Sequence, residues 1–507
     1  MTQNSIADNR MVWLDVVRCV AMLMVIGVHC IDPFYISPTM RVIPEYTHWA
    51  AIYGSLLRPS VPLFVMMTGL LLLPVRQQPL GTFYKKRIFR VLFPFLIWSV
   101  LYSMFPWFTG LLGLPKEIIG DFFCYTQGHE SQSLIDSLKD VAMIPFNFSH
   151  KENHMWYIYL LIGLYLYMPF FSAWVERASN KTKQIFLFIW IVSLFIPYIR
   201  EYVANMLFDR SGYVFGTDTW NEFSMFYYFA GFNGYLLLGH YLKEGGNGNA
   251  LKIFWPFSGS PKDDRLTNDW SVWKTFLICA VMFAIGYYVT YTGFSTTAAN
   301  PNATETEMEL YFTFCSPNVL LMTLAMFLML QKVVINTPVI VKALANMTKC
   351  GFGIYMVHYF VVGPFFLLIG PSEIPIPLQV PLMAVCIFLC SWAFTALLYK
   401  LMPHKAKYIM GKRYTMKIKV GLIGFGRMGR FYLKEMQKSG RWEVAYICDI
   451  NPDCRELAKQ LSPESKILEN EQEMFDDESV QTQGLTGLKR LSNTGNISSP
   501  RNRYQTP

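Results

Sequence analysis

Charge is what this chain lacks. Asp, Glu, Lys and Arg make up 16% of its 507 residues, against about 25% in an ordinary soluble chain. That shortage excludes a plain cytosolic enzyme and a disordered protein. Cysteine is not arranged as a scaffold either. Cys19, Cys30, Cys279, Cys315, Cys386 and Cys390 lie in or beside apolar runs, where thiols behave as small hydrophobes. No cysteine spacing has the pattern of zinc ligands, so no metal is expected. The net charge of +9 is not gathered on one basic domain, so no nucleic-acid partner is expected. Residues 1–10 are polar and no small-residue cleavage site follows the first apolar run, so no cleavable signal peptide is expected. What fills the gap is apolar: 53% hydrophobic residues, with 40 Phe, 29 Tyr, 27 Met and 13 Trp.

Runs of about 20 apolar residues are long enough to cross a bilayer. Ten occur, near 11–30, 50–74, 91–113, 155–175, 184–203, 223–242, 272–294, 310–331, 351–370 and 377–401. Arg58-Pro59 interrupts the second. With the N-terminus inside, the inner connections carry 22 Lys and Arg and the outer ones 7, Arg58 among the latter. Such a bias predicts an all-α polytopic membrane protein of about ten spans with both termini cytoplasmic.

Ionisable groups inside a span are costly and are functional candidates. The first span, MVWLDVVRCVAMLMVIGVHC, holds Asp15, Arg18 and His29. Asp15 and Arg18 are i,i+3 neighbours and can pair. Arg18 and His29 are eleven apart, three turns with about 20° of drift, so they share one face about 16 Å apart along the axis. Two readings stay open: a structural ion pair with an interfacial histidine, or a helix aiming a cation and a proton-transfer imidazole into one interior. In FYKKRIFRVLFPF, Arg87 and Arg90 lie one turn apart at the inner mouth of the third span. The positive-inside rule accounts for them, and so does a bidentate phosphate clamp for a donor such as coenzyme A. HMWYIYLLIGLYLYMPF opens the fourth span with His154, Trp156, Tyr157 and Tyr159. These form an interfacial belt or, at His154 and Trp156, an acceptor side. His358 in TKCGFGIYMVHYF is expected to be a histidine bonded within the bundle, about two turns from the inner end.

Taken in order, these segments resemble the membrane-bound acyltransferase family 3, multi-span bacterial proteins that O-acylate surface glycans. The first span carries the Arg-x10-His pattern at Arg18 and His29, after the LDxxR element at Leu14, Asp15 and Arg18. SVPLFVMMTGLLL resembles a second element, with Thr68 where serine is commoner. Arg87, Arg90 and Pro94 match a third, HMWYIYLLIGLYLYMP a fourth and GFGIYMVH a fifth. The resemblance covers about residues 10–402. It implies an acyl-CoA donor, usually acetyl-CoA, and a sugar-hydroxyl acceptor on a surface polysaccharide or its lipid-linked precursor, at the cytoplasmic (inner) membrane of a bacterium. His29 is then general base or acyl carrier, Asp15 and Arg18 hold the helix and polarise the path, and Arg87 and Arg90 hold donor phosphates. A transporter or flippase of a lipid-linked glycan is the rival class, since it also would use an intramembrane Arg and His.

After a basic linker at 403–415 the composition changes. MKIKVGLIGFGRMGRFYLKEMQKSGRWEVAYICDINPD reads as strand, glycine turn, helix, strand, with Gly424, Gly426 and Gly429 after an apolar run and Asp449 closing the next. This is the dinucleotide fingerprint in its structural context. It resembles the start of NAD(P)-dependent sugar dehydrogenases of the Gfo/Idh/MocA kind. Only 416–478 follow the pattern, and 479–507 is expected to be a disordered tail. A dinucleotide domain needs two halves, so this Rossmann-like fragment is assigned no activity beyond a weak NAD(P) contact. Met416 reads as a second initiator, as in a fused or read-through neighbour.

Overall fold

The computed structural model describes residues 11–75, 78–114, 131–148, 150–203, 206, 215–216, 222–244, 270–300, 302–335, 337–402, 405–411, 418–439, 442–477 and 482–485. The chain divides into two compact units, Met11–Lys412 and a second made of Met1–Arg10 with Arg413–Pro507.

The larger unit is helical. In hydrocarbon every backbone N–H and C=O must find a partner within the protein, and a helix provides it within one segment. Its main helices are α1 (Val12–Ile36), α2 (Pro44–Leu57), α3 (Ser60–Leu72), α4 (Leu80–Leu111), α5 (Leu134–Met143), α6 (Trp156–Arg177), α7 (Asn180–Ser193), α8 (Asn233–Glu244), α9 (Trp270–Ala298), α10 (Pro317–Gln331), α11 (Pro338–Ile369) and α12 (Ile376–Leu401). Among the described residues nine stretches are long and apolar enough to cross a membrane, α2 with α3 counting as one.

The sixth expected run, 223–242, differs. Ser224 (φ +50°) and Gly231 (φ +89°) sit in the left-handed region, so the backbone cannot continue as one helix, and α8 begins only at Asn233. Its 12 residues span about 18 Å. α8 is nonetheless deeply packed. A Cβ on Gly239 would lie 2.0 Å from the Met66 carbonyl oxygen, and one on Gly69 would lie 2.0 Å from that of Leu236. Only glycines allow α3 and α8 to come so close.

α1 is the central element. It packs against α2, α3, α10, α11 and α12. Met22 lies against Gly351 of α11, and seven residues further along both chains His29 lies against His358. The two helices therefore run in the same direction.

The expected linker at 403–415 is not free of the bundle. The Trp98 indole donates to the Ile409 carbonyl at 2.9 Å, and the Tyr399 hydroxyl to that of Met410 at 3.2 Å. Met410 is fully buried. The helical unit thus extends to Lys412 rather than 402.

The second unit contains β1 (Ile418–Ile423), α13 (Arg427–Ser439), β2 (Trp442–Cys448), α14 (Pro452–Leu461), β3 (Lys466–Leu468), α15 (Gln472–Asp476) and β4 (Thr482–Leu485). All strands pair in parallel, in the order β3-β2-β1-β4. A small parallel sheet of this kind is compatible with the short C-terminal α/β fragment expected. β4 falls beyond residue 478, so the sheet reaches into the segment expected to be a tail. The remainder of that tail, from 486, lies outside the described residues, as does the N-terminal tail 1–10.

Candidate active site

The site is built around His29. Its Nδ1 lies 3.0 Å from Asp32 Oδ2, one turn further along α1. A carboxylate at that distance holds Nδ1–H, which leaves Nε2 as the acceptor nitrogen. Pro33 follows within the helix. It has no N–H to give to the carbonyl four residues back, which is that of His29 itself, so α1 is locally loosened at the dyad.

Two further imidazoles close on His29. The His358 ring centroid is 5.4 Å away and that of His154 6.4 Å, while His154 and His358 are 5.1 Å apart. Tyr359 stacks on His154 at 4.7 Å, and Tyr102 meets it edge-on at 5.1 Å. His358 Nδ1 bonds the Tyr355 carbonyl at 2.7 Å, and the Tyr355 hydroxyl donates to the His154 carbonyl. His154 and His358 are each 1% exposed. Yet His358 Nε2 and both ring nitrogens of His154 have no hydrogen-bond partner among the described residues. A buried nitrogen left unpaired costs about 1–3 kcal/mol, and three of them line one spot. Among the described residues no group of three or more His, Cys, Asp or Glu has metal-site geometry.

The other sequence candidates fall at the opposite end of the same helices. Arg18 Nη1 lies 3.4 Å from Asp15 Oδ1, eleven residues, or about 16 Å, back along α1. The Asp15–Arg18 pair does not touch His29. Arg87 and Arg90 stand near the start of α4, with Tyr165 of α6 in electrostatic range of both guanidinium groups. Tyr102, which touches His154, lies twelve residues or about 18 Å further along α4. Tyrosines connect the two levels. Tyr165 lies in electrostatic range of Tyr157, the Tyr157 ring is 5.9 Å from Tyr355, and the Tyr355 ring is 5.5 Å from His154 and 5.7 Å from His358.

Several placements revise the sequence reading. His358 is bonded within the bundle as expected, but its place along the helix differs. α11 starts at Pro338 rather than 351, so His358 sits about 30 Å into it. Tyr157 packs against Tyr355, and the Tyr159 hydroxyl donates to the Ile144 carbonyl at 2.5 Å. Trp156 stacks on Phe314 at 5.6 Å. Arg58, counted with the outer connections, is 6% exposed, with its guanidinium 4.0 Å over Phe312. Sequence reasoning missed Asp32. Its i,i+3 spacing from His29 was the available signal, the same spacing that singled out Asp15 and Arg18.

In the C-terminal unit the three glycines lie between β1 and the first turn of α13. Gly424 has φ +88°, and Gly429 is buried at the start of α13. A Cβ on Gly426 would meet nothing within 4 Å. Asp449, however, turns inward. Its two carboxylate oxygens accept the backbone N–H groups of Phe425 and Asn451, so it braces the turn with the atoms a ribose would need.

A bundle with nine membrane-length stretches among its described residues, holding a His–Asp pair between its helices, defines a polytopic membrane protein. The family model of the acyltransferase 3 domain, described as an acyltransferase domain, matches residues 11–396. The chain belongs to that family, and it is a multi-pass membrane acyltransferase. No curated protein and no solved structure matches it.

Proposed function

We propose that this acyltransferase moves an acyl group, in the first place acetyl, from acyl-CoA to a hydroxyl of a surface polysaccharide or its lipid-linked precursor. The observation that carries this reading is the His29–Asp32 pair, 3.0 Å apart, facing two buried histidines with unpaired nitrogens. Arg87 and Arg90 clamp the donor phosphates, and Asp15 and Arg18 hold the first helix at that same end. The row of Tyr165, Tyr157 and Tyr355 is the path along which the pantetheine arm reaches the histidines. The rise of about 16–18 Å along α1 and α4 suits an extended phosphopantetheine.

His29 Nε2 takes the proton of the acceptor hydroxyl as its oxygen attacks the thioester carbonyl carbon. The tetrahedral adduct collapses with cleavage of the C–S bond, and the proton on Nε2 passes to the departing thiolate. Asp32 holds the imidazole and balances its transient positive charge. His154 and His358 offer hydrogen bonds to the acceptor or to the adduct. His29 as a transient acyl carrier is the alternative form of the same chemistry.

The topology belongs to this proposal. Both ends are cytoplasmic, following the 22-to-7 bias in Lys and Arg, in the inner membrane of a bacterium. We read ten crossings. α1 and α11 run parallel, as a first and a ninth crossing do and a first and an eighth do not. α8 supplies the reversal: near its C-terminus, His240 Nδ1 and Lys243 Nζ bond the carbonyls of Leu73 and Leu70, at the C-terminal end of α3.

The test is label transfer from radiolabelled acetyl-CoA to the glycan fraction of membranes carrying the full chain. Transfer that is lost in a normally inserted His29→Ala supports the reading. Undiminished transfer by that variant removes His29 from the chemistry, and no transfer by the wild type favours transport of a lipid-linked glycan.

A further inference from the structure

We propose that Glu309 is a positioning residue for the His29–Asp32 dyad and acts through the Tyr35 hydroxyl. The inference rests on the reading of that dyad as the acyl-transfer base. Asp32 uses Oδ2 for His29, and its Oδ1 lies 3.3 Å from the Tyr35 hydroxyl. The same hydroxyl lies 3.0 Å from Glu309 Oε1. It owns one hydrogen, so two carboxylate oxygens compete for it, and the shorter contact is the one to Glu309. While Glu309 holds that hydrogen, the charge of Asp32 is undivided and serves the imidazole. Without Glu309 the hydrogen turns to Asp32 and draws its charge away from His29.

The arrangement is fixed on every side. Tyr35 is 1% exposed and is held edge-on by Phe294 at 5.5 Å and Phe312 at 6.0 Å. Glu309 ends a short helix that begins with a reciprocal cap between Thr304 and Glu307. Arg41 ties this segment back towards the end of α1 by donating to the Ala303 carbonyl at 2.7 Å. The buried Arg58 guanidinium lies in electrostatic range of Tyr35. It supplies the positive charge that lets two carboxylates share one apolar pocket. Glu309 itself is only half-buried, so the chain Glu309–Tyr35–Asp32–His29 joins the base to the rim of the bundle.

The test is the rate of label transfer from radiolabelled acetyl-CoA in membranes of the full chain. Glu309→Leu should lower kcat about ten-fold, the effect of weakening one charge-assisted hydrogen bond, with the KM for acetyl-CoA unchanged. Adding Tyr35→Phe removes the competing hydrogen, so the double variant should recover to within about three-fold of wild type. A merely structural Glu309 predicts the reverse, a double variant worse than either single one. If Glu309→Leu does not insert, Glu309→Gln with and without Tyr35→Phe makes the same comparison, with a smaller first loss and the same recovery. Full activity of the Glu309 variant, or no recovery in the double, overturns the proposal. Should His29→Ala and Asp32→Asn also be fully active, the dyad reading falls with it. If those two abolish transfer while the Glu309 variants are neutral, only the role of Glu309 falls.

Discussion

Replacing Asp32 by Asn keeps the side chain's size and removes its charge. In the wild type Oδ2 sits 3.0 Å from His29 Nδ1, so the imidazolium formed in acyl transfer finds a negative charge one hydrogen bond away. Two unit charges about 4 Å apart interact by about 4 kcal/mol at an effective dielectric near 20. That corresponds to a loss of about three orders of magnitude in kcat. The asparagine can also turn its NH2 group to Nδ1, which would move the imidazole hydrogen to Nε2 and leave no basic nitrogen facing the acceptor. Both effects act on the transition state, so the KM for the donor should stay within about two-fold. The measurement is the initial rate of glycan labelling at saturating acetyl-CoA, normalised to inserted protein. A normally inserted Asp32→Asn variant that keeps more than about a fifth of the wild-type rate would refute the role given to this carboxylate.

The double variant Arg87→Ala/Arg90→Ala should raise the KM for acetyl-CoA more than about ten-fold and change kcat much less, because a phosphate clamp is ground-state binding; a pure kcat effect would contradict it. Gly69→Ala should lower the thermal stability of the detergent-solubilised protein by more than the roughly 1–3 kcal/mol of ordinary overpacking, since its Cβ would lie 2.0 Å from a backbone oxygen that has no rotamer to move. Size-exclusion melting would show this as early aggregation. A chain ending at Lys412 should keep full transfer activity, as the helical unit is complete there. A chain ending at Met402 should lose it, because Trp98 and Tyr399 lose the carbonyls of Ile409 and Met410. Equal activity of the two truncations would show that residues 405–411 do not support the bundle.

Much of this was legible in the sequence because hydropathy and charge state it directly. The interruption at Arg58-Pro59 is where α2 gives way to α3. The eleven-residue spacing does put Arg18 and His29 at two levels of one helix facing protein, with Met22 between them packed on Gly351. The omissions share a cause. A hydropathy window stops at charge, so the first apolar run ends at Cys30, two residues short of Asp32. For the same reason Arg58 counts with the connections in the sequence, although it is buried. The ninth apolar run opens at 351, thirteen residues after α11 begins, because the first turns of α11 carry Lys342 and Lys349. Tyr35 and Glu309 are 274 residues apart, and no periodicity in the chain relates them. Helix faces can be read from spacing, but which faces meet is decided by packing, here by glycines that let helices approach to backbone contact.

The histidine cluster also bears on whether this end of the bundle exists for stability. Buried ion pairs are weak stabilisers, often matched by apolar residues of the same volume. Here the dyad is accompanied by three imidazole nitrogens without partners among the described residues, at about 1–3 kcal/mol each. Their sum is comparable with the whole net stability of a typical domain, about 5–15 kcal/mol. Two tyrosine hydroxyls nearby are spent on backbone carbonyls, Tyr102 on Met356 at 2.8 Å and Tyr355 on His154. The hydrogens of these two hydroxyls are thus committed elsewhere. A bundle shaped for stability would fill this position with Leu or Phe. One that keeps His29, His154 and His358 together holds imidazole nitrogens that the oxygens and hydroxyls of a polar substrate can pair with.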